Sequence, residues 1–318
     1  ARLNGVMGAD DLRATDLTAT NFILERGSEI IYGRIGDQIM ASEFTYSILT
    51  IDGSGVKSFV NAALTANRVN IVSDATLDVD GALTVTPYLV NDAQIIDGGL
   101  VFVDADGNAT AGTLMISGTL NAAYFTAGNG TVIYYGSADQ LVTDFGETQA
   151  YNNLVLRGGN KSSALFDAAG KSTLGNLYVA NDLYLENGVV ATTGTVQADN
   201  VYFRNLADSS DSNAILQVAG DFIIANEFVA GVGIVHFNGG NQVINGLNYY
   251  IVAFSNSGSN MTEKTVSNRI NASVGIYIGN NLNVNVADGV TGGEIAFGEY
   301  NTTTKSYADS NGVLTLNG

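Results

Sequence analysis

The feature that most constrains this chain is that it repeats itself. Residues 116–188 return, with small gaps, as residues 218–289. Ile116-Ser-Gly-Thr-Leu120 answers to Val218-Ala-Gly-Asp-Phe222, and Phe125-Thr-Ala-Gly128 to Phe228-Val-Ala-Gly231. Gly130-Thr-Val-Ile-Tyr134 aligns with Gly233-Ile-Val-His-Phe237, Gln140-Leu-Val142 with Gln242-Val-Ile244, and Tyr151–Leu156 with Tyr249–Phe254. Leu177–Leu183 is matched to Ile276–Leu282. The offset drifts between about 98 and 103 residues, as it does in duplicated units that differ by loop insertions.

Within each copy, short apolar runs are separated by Gly and Asn. Their centres, near Val132, Leu154, Leu177 and Val201, lie roughly 22–24 residues apart, a spacing suited to the rungs of a stacked repeat. Leu77, Val79, Leu83 and Val85 alternate with Asp78 and Asp80, which is the period of a strand with one buried face. Glycine and asparagine tolerate positive φ and suit the corners between rungs. A single proline permits long uninterrupted ladders. The expected fold is all-β, a β-solenoid with rungs of about 20 residues. The alternative is tandem β-sandwich domains of about 100 residues, although neither tryptophan nor cysteine is present to build their usual core. The solenoid is expected over residues 72–318, with 1–71 as an N-terminal cap or assembly segment. In that segment Asp11-Leu12, Asp16-Leu17 and Asn21-Phe22 recur every five residues, and Phe59–Val69 reads as a short helix.

Charged residues are 14% of the chain, against about 25% in an average domain, and Gly, Asn, Thr, Ser and Tyr take their place. Such a surface wets through amides and hydroxyls, as in secreted fibres. A net charge of −18 with 13 scattered basic residues argues against nucleic acid as a partner and against an anionic membrane surface. No run of about 18 apolar residues offers a membrane span. A first residue of Ala1 fits a mature exported protein whose leader has been removed, so the expected location is extracellular or at the cell surface.

Gly231–Gly246, Leu247-Asn-Tyr-Tyr250, Phe254-Ser-Asn-Ser-Gly-Ser259 and Asn280-Asn-Leu-Asn-Val-Asn285 resemble the repeats of filamentous-haemagglutinin-like bacterial surface proteins. The likeness covers about residues 110–318. It implies a right-handed parallel β-helix with a role in surface display, adhesion or matrix formation, and it brings no catalytic residues.

Candidate chemistry is sparse. Asp104-Ala-Asp106-Gly-Asn108 places oxygen donors at alternate positions around a glycine, the layout of a calcium-binding turn, although it lacks a closing glutamate. Asp208–Asn213 is a weaker site of the same kind. His236 is the only histidine and has no nucleophile motif beside it. The carboxylate pairs Asp10-Asp11, Asp78/Asp80 and Asp208/Asp211, like Asp139, Asp144, Asp167, Asp182 and Asp199, read as turn and cap residues rather than a glycosidase pair. Tyr178, Tyr184, Tyr249, Tyr250 and Tyr277 lie on expected strands, where they either stack on sugars or pack across rungs. Sequons such as Asn108, Asn160 and Asn301 are as frequent as chance provides.

The resulting expectation is a non-enzymatic subunit of an extracellular filament, sheath or matrix. It is expected to join itself head to tail, with terminal strand exchange as the route, because Val313–Leu316 is an apolar strand without a polar cap. The alternatives are a monomeric adhesin stalk that binds a partner or surface glycan, and a β-helical carbohydrate-active enzyme or phage-type fibre.

Overall fold

The computed structural model describes residues 7–8, 26–40, 45–60, 62–72, 74–86, 88–90, 94–104, 106–166, 172–256, 258, 260–301, 306–309 and 312–316. The protein is all-β, with 56% of residues in strands, and its long sheets are parallel. It is a parallel β-solenoid. Among the described residues the helical content is a single 3-10 turn, Glu147–Gln149. The chain divides into two compact units, 1–136 with 140–154, and 137–139 with 155–318.

In the first unit the chain passes back and forth between two parallel sheets. One contains Glu29–Tyr32, Tyr46–Ile51, Leu64–Ile71 and Gly99–Val101 in ladder order. The other contains Gln38–Ile39, Val56–Phe59, Thr76–Val79, Thr113–Ile116 and Thr131–Tyr134. Strict alternation fills the space between the sheets. Leu77, Val79, Leu83 and Leu114 are fully buried, and each contributes about 1.5–3 kcal/mol of transfer free energy. Asp78 and Asp80 point outward, as their phase in the sequence requires.

The second unit repeats the plan. Val189–Thr192, Ile215–Val218, Ile234–Phe237, Asn248–Phe254 and Ile270–Ile278 stack in one sheet. Leu177–Leu185, Val196–Tyr202, Phe222–Val229, Gln242–Ile244, Thr262–Val266, Leu282–Val286 and Val313–Leu316 stack in the other. The longest strands carry a register shift, between Val179 and Asp182 for example, which bends them so that one strand lines two walls. Leu177 and Ile276, expected inside, are both 1% exposed.

Three expectations change. Phe59–Val69 is not helical: Phe59 ends strand Val56–Phe59, and Leu64–Ile71 is a strand whose alternation reads Leu64, Ala66, Val69 and Ile71 inward. The ladder does not begin at residue 72, because strands from Glu29 onward already pair as rungs. The five-residue pattern at Asp11–Phe22 lies outside the described residues. Finally, the inward residues Leu177, Val179, Leu183 and Leu185 match Ile270, Ala272, Ile276 and Ile278 one for one. Ile276 therefore corresponds to Leu183, half a strand away from its expected match at Leu177.

Candidate functional site

The repeat is threefold. Tyr32, Gln38, Tyr46 and Lys57 occupy the places that Tyr134, Gln140, Tyr151 and Lys161 occupy next, and Phe237, Gln242, Tyr249 and Lys264 after them. The glutamines fall 102 residues apart each time. Each closes the same corner. The Gln38 side-chain oxygen accepts the Arg34 N–H at 3.2 Å, that of Gln140 the Gly136 N–H at 3.1 Å, and that of Gln242 the Gly239 N–H at 3.1 Å. Gln140 Nε2 donates to the Ile116 and Gly118 carbonyls (3.0 and 2.6 Å), and Gln242 Nε2 to those of Val218 and Gly220 (3.0 and 2.5 Å). These side chains tie one rung to the rung before it.

Each repeat also buries a lysine. Lys57 Nζ donates to the carbonyls of Arg34, Gly36 and Ser54, each at 2.8 Å. Lys264 Nζ donates to Gly239 O at 2.6 Å, Gly240 O at 2.7 Å and Gln242 Oε1, and Lys161 Nζ donates to Gly159 O at 2.8 Å. A buried ammonium survives because its hydrogens meet the oxygens of the turns. Burial still pushes both Lys161 and Lys264 down to about 8, and Lys57 downward as well. Above these corners Tyr32 and Tyr46 share a hydroxyl hydrogen bond (3.0 Å), as do Tyr134 and Tyr151 (2.9 Å).

The turn expected to hold calcium closes on itself. It leaves the core after Phe102 and returns where the Thr110 N–H donates to Phe102 O at 2.9 Å. Asp104 Oδ1 accepts the N–H groups of Asp106 (3.0 Å) and Asn108 (2.8 Å), and Asn108 Nδ2 donates to Asp104 Oδ2 at 2.9 Å. The Asn108 amide holds the Asp104 carboxyl below its usual range. The Asp104 carboxylate thus organises an Asx-type turn over Asp104, Asp106 and Asn108. Asp208 lies in the equivalent excursion after Phe203. There Ser210 donates to Asp208 through N (2.9 Å) and Oγ (2.7 Å), and the Ser212 N–H returns to Phe203 O at 3.0 Å. Gly128 and Gly231 take φ +51° and +50° beneath these two excursions. A Cβ on either would lie 2.1 Å from the Phe102 or Phe203 carbonyl oxygen, so both positions require glycine.

His236 Nε2 lies 2.7 Å from Ser255 Oγ, the separation of a nucleophile and its base. Its Nδ1, where a triad places its acid, has no partner among the described residues. Burial, reinforced by Lys264, lowers the ring to about 4, and both residues are enclosed. The carboxylates are likewise engaged: Asp78 accepts the Tyr135 hydroxyl (2.7 Å), Asp80 that of Ser117 (3.0 Å), Asp139 the Asn160 amide (3.0 Å) and Asp144 the Gly146 N–H (2.8 Å). Asp10, Asp11 and Asp167 lie outside the described residues. Of the tyrosines, Tyr249 and Tyr277 are buried. Tyr184, half-buried, stacks on the buried Tyr202 at 4.9 Å with Arg204 at 4.3 Å above Tyr202, and Tyr202 donates to Glu227 at 2.9 Å.

The class these features define is a parallel β-solenoid built from three repeats of about 102 residues, with polar side chains closing its corners. No family model matches the chain, and neither curated proteins nor solved structures give a match.

Proposed function

We propose that the chain is a structural subunit of an extracellular filament, sheath or matrix that associates head to tail with copies of itself. The observation that carries this reading is a pair of open ladder edges. Among the described residues, Gln38–Ile39 pairs only with Val56–Phe59, and Val313–Leu316 only with Leu282–Val286. Ile35, Ile39 and Val313 are 82%, 67% and 46% exposed at these edges. An uncovered parallel edge is a template for another strand, and a strand of a second copy covers the Val313–Leu316 edge. The resemblance to filamentous-haemagglutinin-like repeats and a surface poor in charge favour the same role. The engaged carboxylates and the incomplete histidine site give no support to a carbohydrate-active enzyme. Sedimentation velocity and negative-stain microscopy across a concentration series test the proposal. Filaments one solenoid wide, lengthening with concentration, are expected; a monomer at every concentration overturns it.

A second reading is favoured by the half-buried Tyr184 ring, held by its stack on Tyr202 beside Arg204 and Glu227: a monomeric adhesin stalk that binds a glycan on this strip. It predicts glycan binding that Tyr184→Ala abolishes, with no filaments.

A further inference from the structure

The internal repeat junctions specify the register of the junction between copies. Three strands open a repeat: Glu29–Tyr32, Thr131–Tyr134 and Ile234–Phe237. Three strands close one: Thr113–Ile116, Ile215–Val218 and Val313–Leu316. The closing strands are equivalent because each follows the excursion of its repeat and each lies on an equivalent strand: Thr76–Val79, Val189–Thr192 and Leu282–Val286 respectively.

Inside the chain, each closing strand pairs with the opening strand of the next repeat in one register. Thr113, Leu114, Met115 and Ile116 stand opposite Thr131, Val132, Ile133 and Tyr134. Ile215, Leu216, Gln217 and Val218 stand opposite Ile234, Val235, His236 and Phe237. The backbone bonds coincide as well. Thr131 N donates to Gly112 O and Tyr135 N to Ile116 O, both at 3.0 Å, just as Ile234 N donates to Ala214 O and Asn238 N to Val218 O, both at 3.0 Å. At both junctions the second and fourth pairs point inward and are buried.

Among the described residues, the third closing strand, Val313–Leu316, pairs with Leu282–Val286 alone, and no closing strand pairs with the first opening strand, Glu29–Tyr32. The place of one is held by a short strand of the same chain: Met7–Gly8 pairs with Ile30–Ile31. We infer that in the head-to-tail assembly Val313–Leu316 of one copy pairs in parallel with Glu29–Tyr32 of the next. Val313 then faces Glu29, Leu314 faces Ile30, Thr315 faces Ile31 and Leu316 faces Tyr32, and Met7–Gly8 is a placeholder that this strand displaces. Two paired residues give way to four, and Leu314 meets Ile30 as Leu114 meets Val132. The partner is therefore a second copy of this chain, added by strand exchange at one defined edge.

This inference rests on the head-to-tail reading, and its test separates the two. The chain has no cysteine, so single-cysteine variants report cleanly. Partner residues on adjacent parallel strands lie about 4.8 Å apart, within the roughly 4.4–6.8 Å span a disulfide bridges. Thr315→Cys protein mixed with Ile31→Cys protein and oxidised is expected to give a covalent dimer. Thr315→Cys mixed with Glu29→Cys, two residues out of register, is expected to give at least tenfold less. Gly8→Pro, which weakens the placeholder strand, is expected to speed assembly. Filaments in the microscope with no Thr315–Ile31 cross-link, or with the shifted pair dominant, overturn this junction and leave head-to-tail assembly standing. Unchanged or slower assembly of Gly8→Pro overturns the placeholder. Neither filaments nor cross-link overturns the junction and the head-to-tail reading together.

Discussion

The repeat that opens at Tyr32 and the repeat that opens at Phe237 keep the same corner and change the core beside it. Both hold a glutamine against the corner backbone and a lysine whose ammonium meets three oxygens. Yet Tyr32 and Tyr46 share a hydroxyl hydrogen bond, whereas the later repeat has Phe237 at the first position. Tyr249 there donates instead to the Asn245 carbonyl at 2.8 Å. The ring geometry is almost unchanged, with centroids 6.4 and 6.3 Å apart. Apolar volume can be exchanged between repeats, because many side chains fill the same space. A corner carbonyl left without a donor cannot be compensated in that way.

Successive repeats place equivalent residues on different sheets. In the first unit, Tyr32 and Tyr134 lie on different sheets, nine crossings apart. In the second unit, Lys161 and Lys264 are likewise on different sheets, nine crossings apart. One repeat is therefore four and a half turns, and equivalent surfaces alternate between opposite walls. At about 4.8 Å per rung, a repeat advances roughly 22 Å along the stack.

If the corners matter more than the core, the largest effect should come from the lysines. Lys57→Met and Lys264→Met should each destabilise by about 3 kcal/mol, because each removes three charge-assisted hydrogen bonds from a buried corner. Equilibrium denaturation measures this, and a cost below about 1 kcal/mol in either variant breaks the equivalence. The same residues set a pH dependence. Lys161 and Lys264 fall to about 8 in the folded chain, against 10.5 as the ordinary value. Between those limits the unfolded chain holds more protons, so stability should rise with pH. Above about pH 10 the buried tyrosines, whose hydroxyls burial raises above 10, oppose the trend. Denaturation midpoints from pH 8 to 10 should climb in the native protein and climb less in Lys264→Met.

A smaller effect tests the core. Tyr134→Phe should cost about 1.5 kcal/mol, since it removes the hydroxyl that bonds Tyr151 and accepts the Thr143 N–H at 3.3 Å, while Tyr151 keeps the Thr143 carbonyl at 2.8 Å. Phe237→Tyr should cost less than that or stabilise, and a cost of about 2 kcal/mol would show that the two cores are not interchangeable. The smallest effect concerns the Asp104 turn: a lower melting temperature with chelator, abolished by Asp106→Ala, is the outcome expected of a calcium site there, and coincident curves would retire that reading.

Much of the fold was legible in the sequence. Leu77, Val79, Leu83 and Val85 alternate so cleanly that their faces follow from phase alone, and two copies of the repeat are visible as aligned words. The first copy is harder to see because its words share few letters with the others. What persists is Tyr32 and Gln38, six residues apart like Tyr134 and Gln140, with Lys57 beyond. Those residues carry the corner hydrogen bonds, so the repeat is chemical before it is textual. Phe59–Val69 misled because its apolar residues have mixed spacing, and the turn near Val60 resets the alternation between two strands. The Asp104 turn was legible as a turn, and oxygen donors at alternate positions suit both an ion and an Asx turn.

The central claim is that both units stack parallel rungs in one register at equivalent places in the repeat. Ser58 stands opposite Asp78 in the first unit, and Thr265, at the same place in the repeat, stands opposite Asn285 in the second. Oxidation of two double variants tests this directly: Ser58→Cys with Asp78→Cys, and Thr265→Cys with Asn285→Cys. The account predicts that both close an intramolecular disulfide in the folded monomer, whereas Ser58→Cys with Asp80→Cys does not. Closure of the Ser58–Asp80 pair, or of neither equivalent pair, would contradict it.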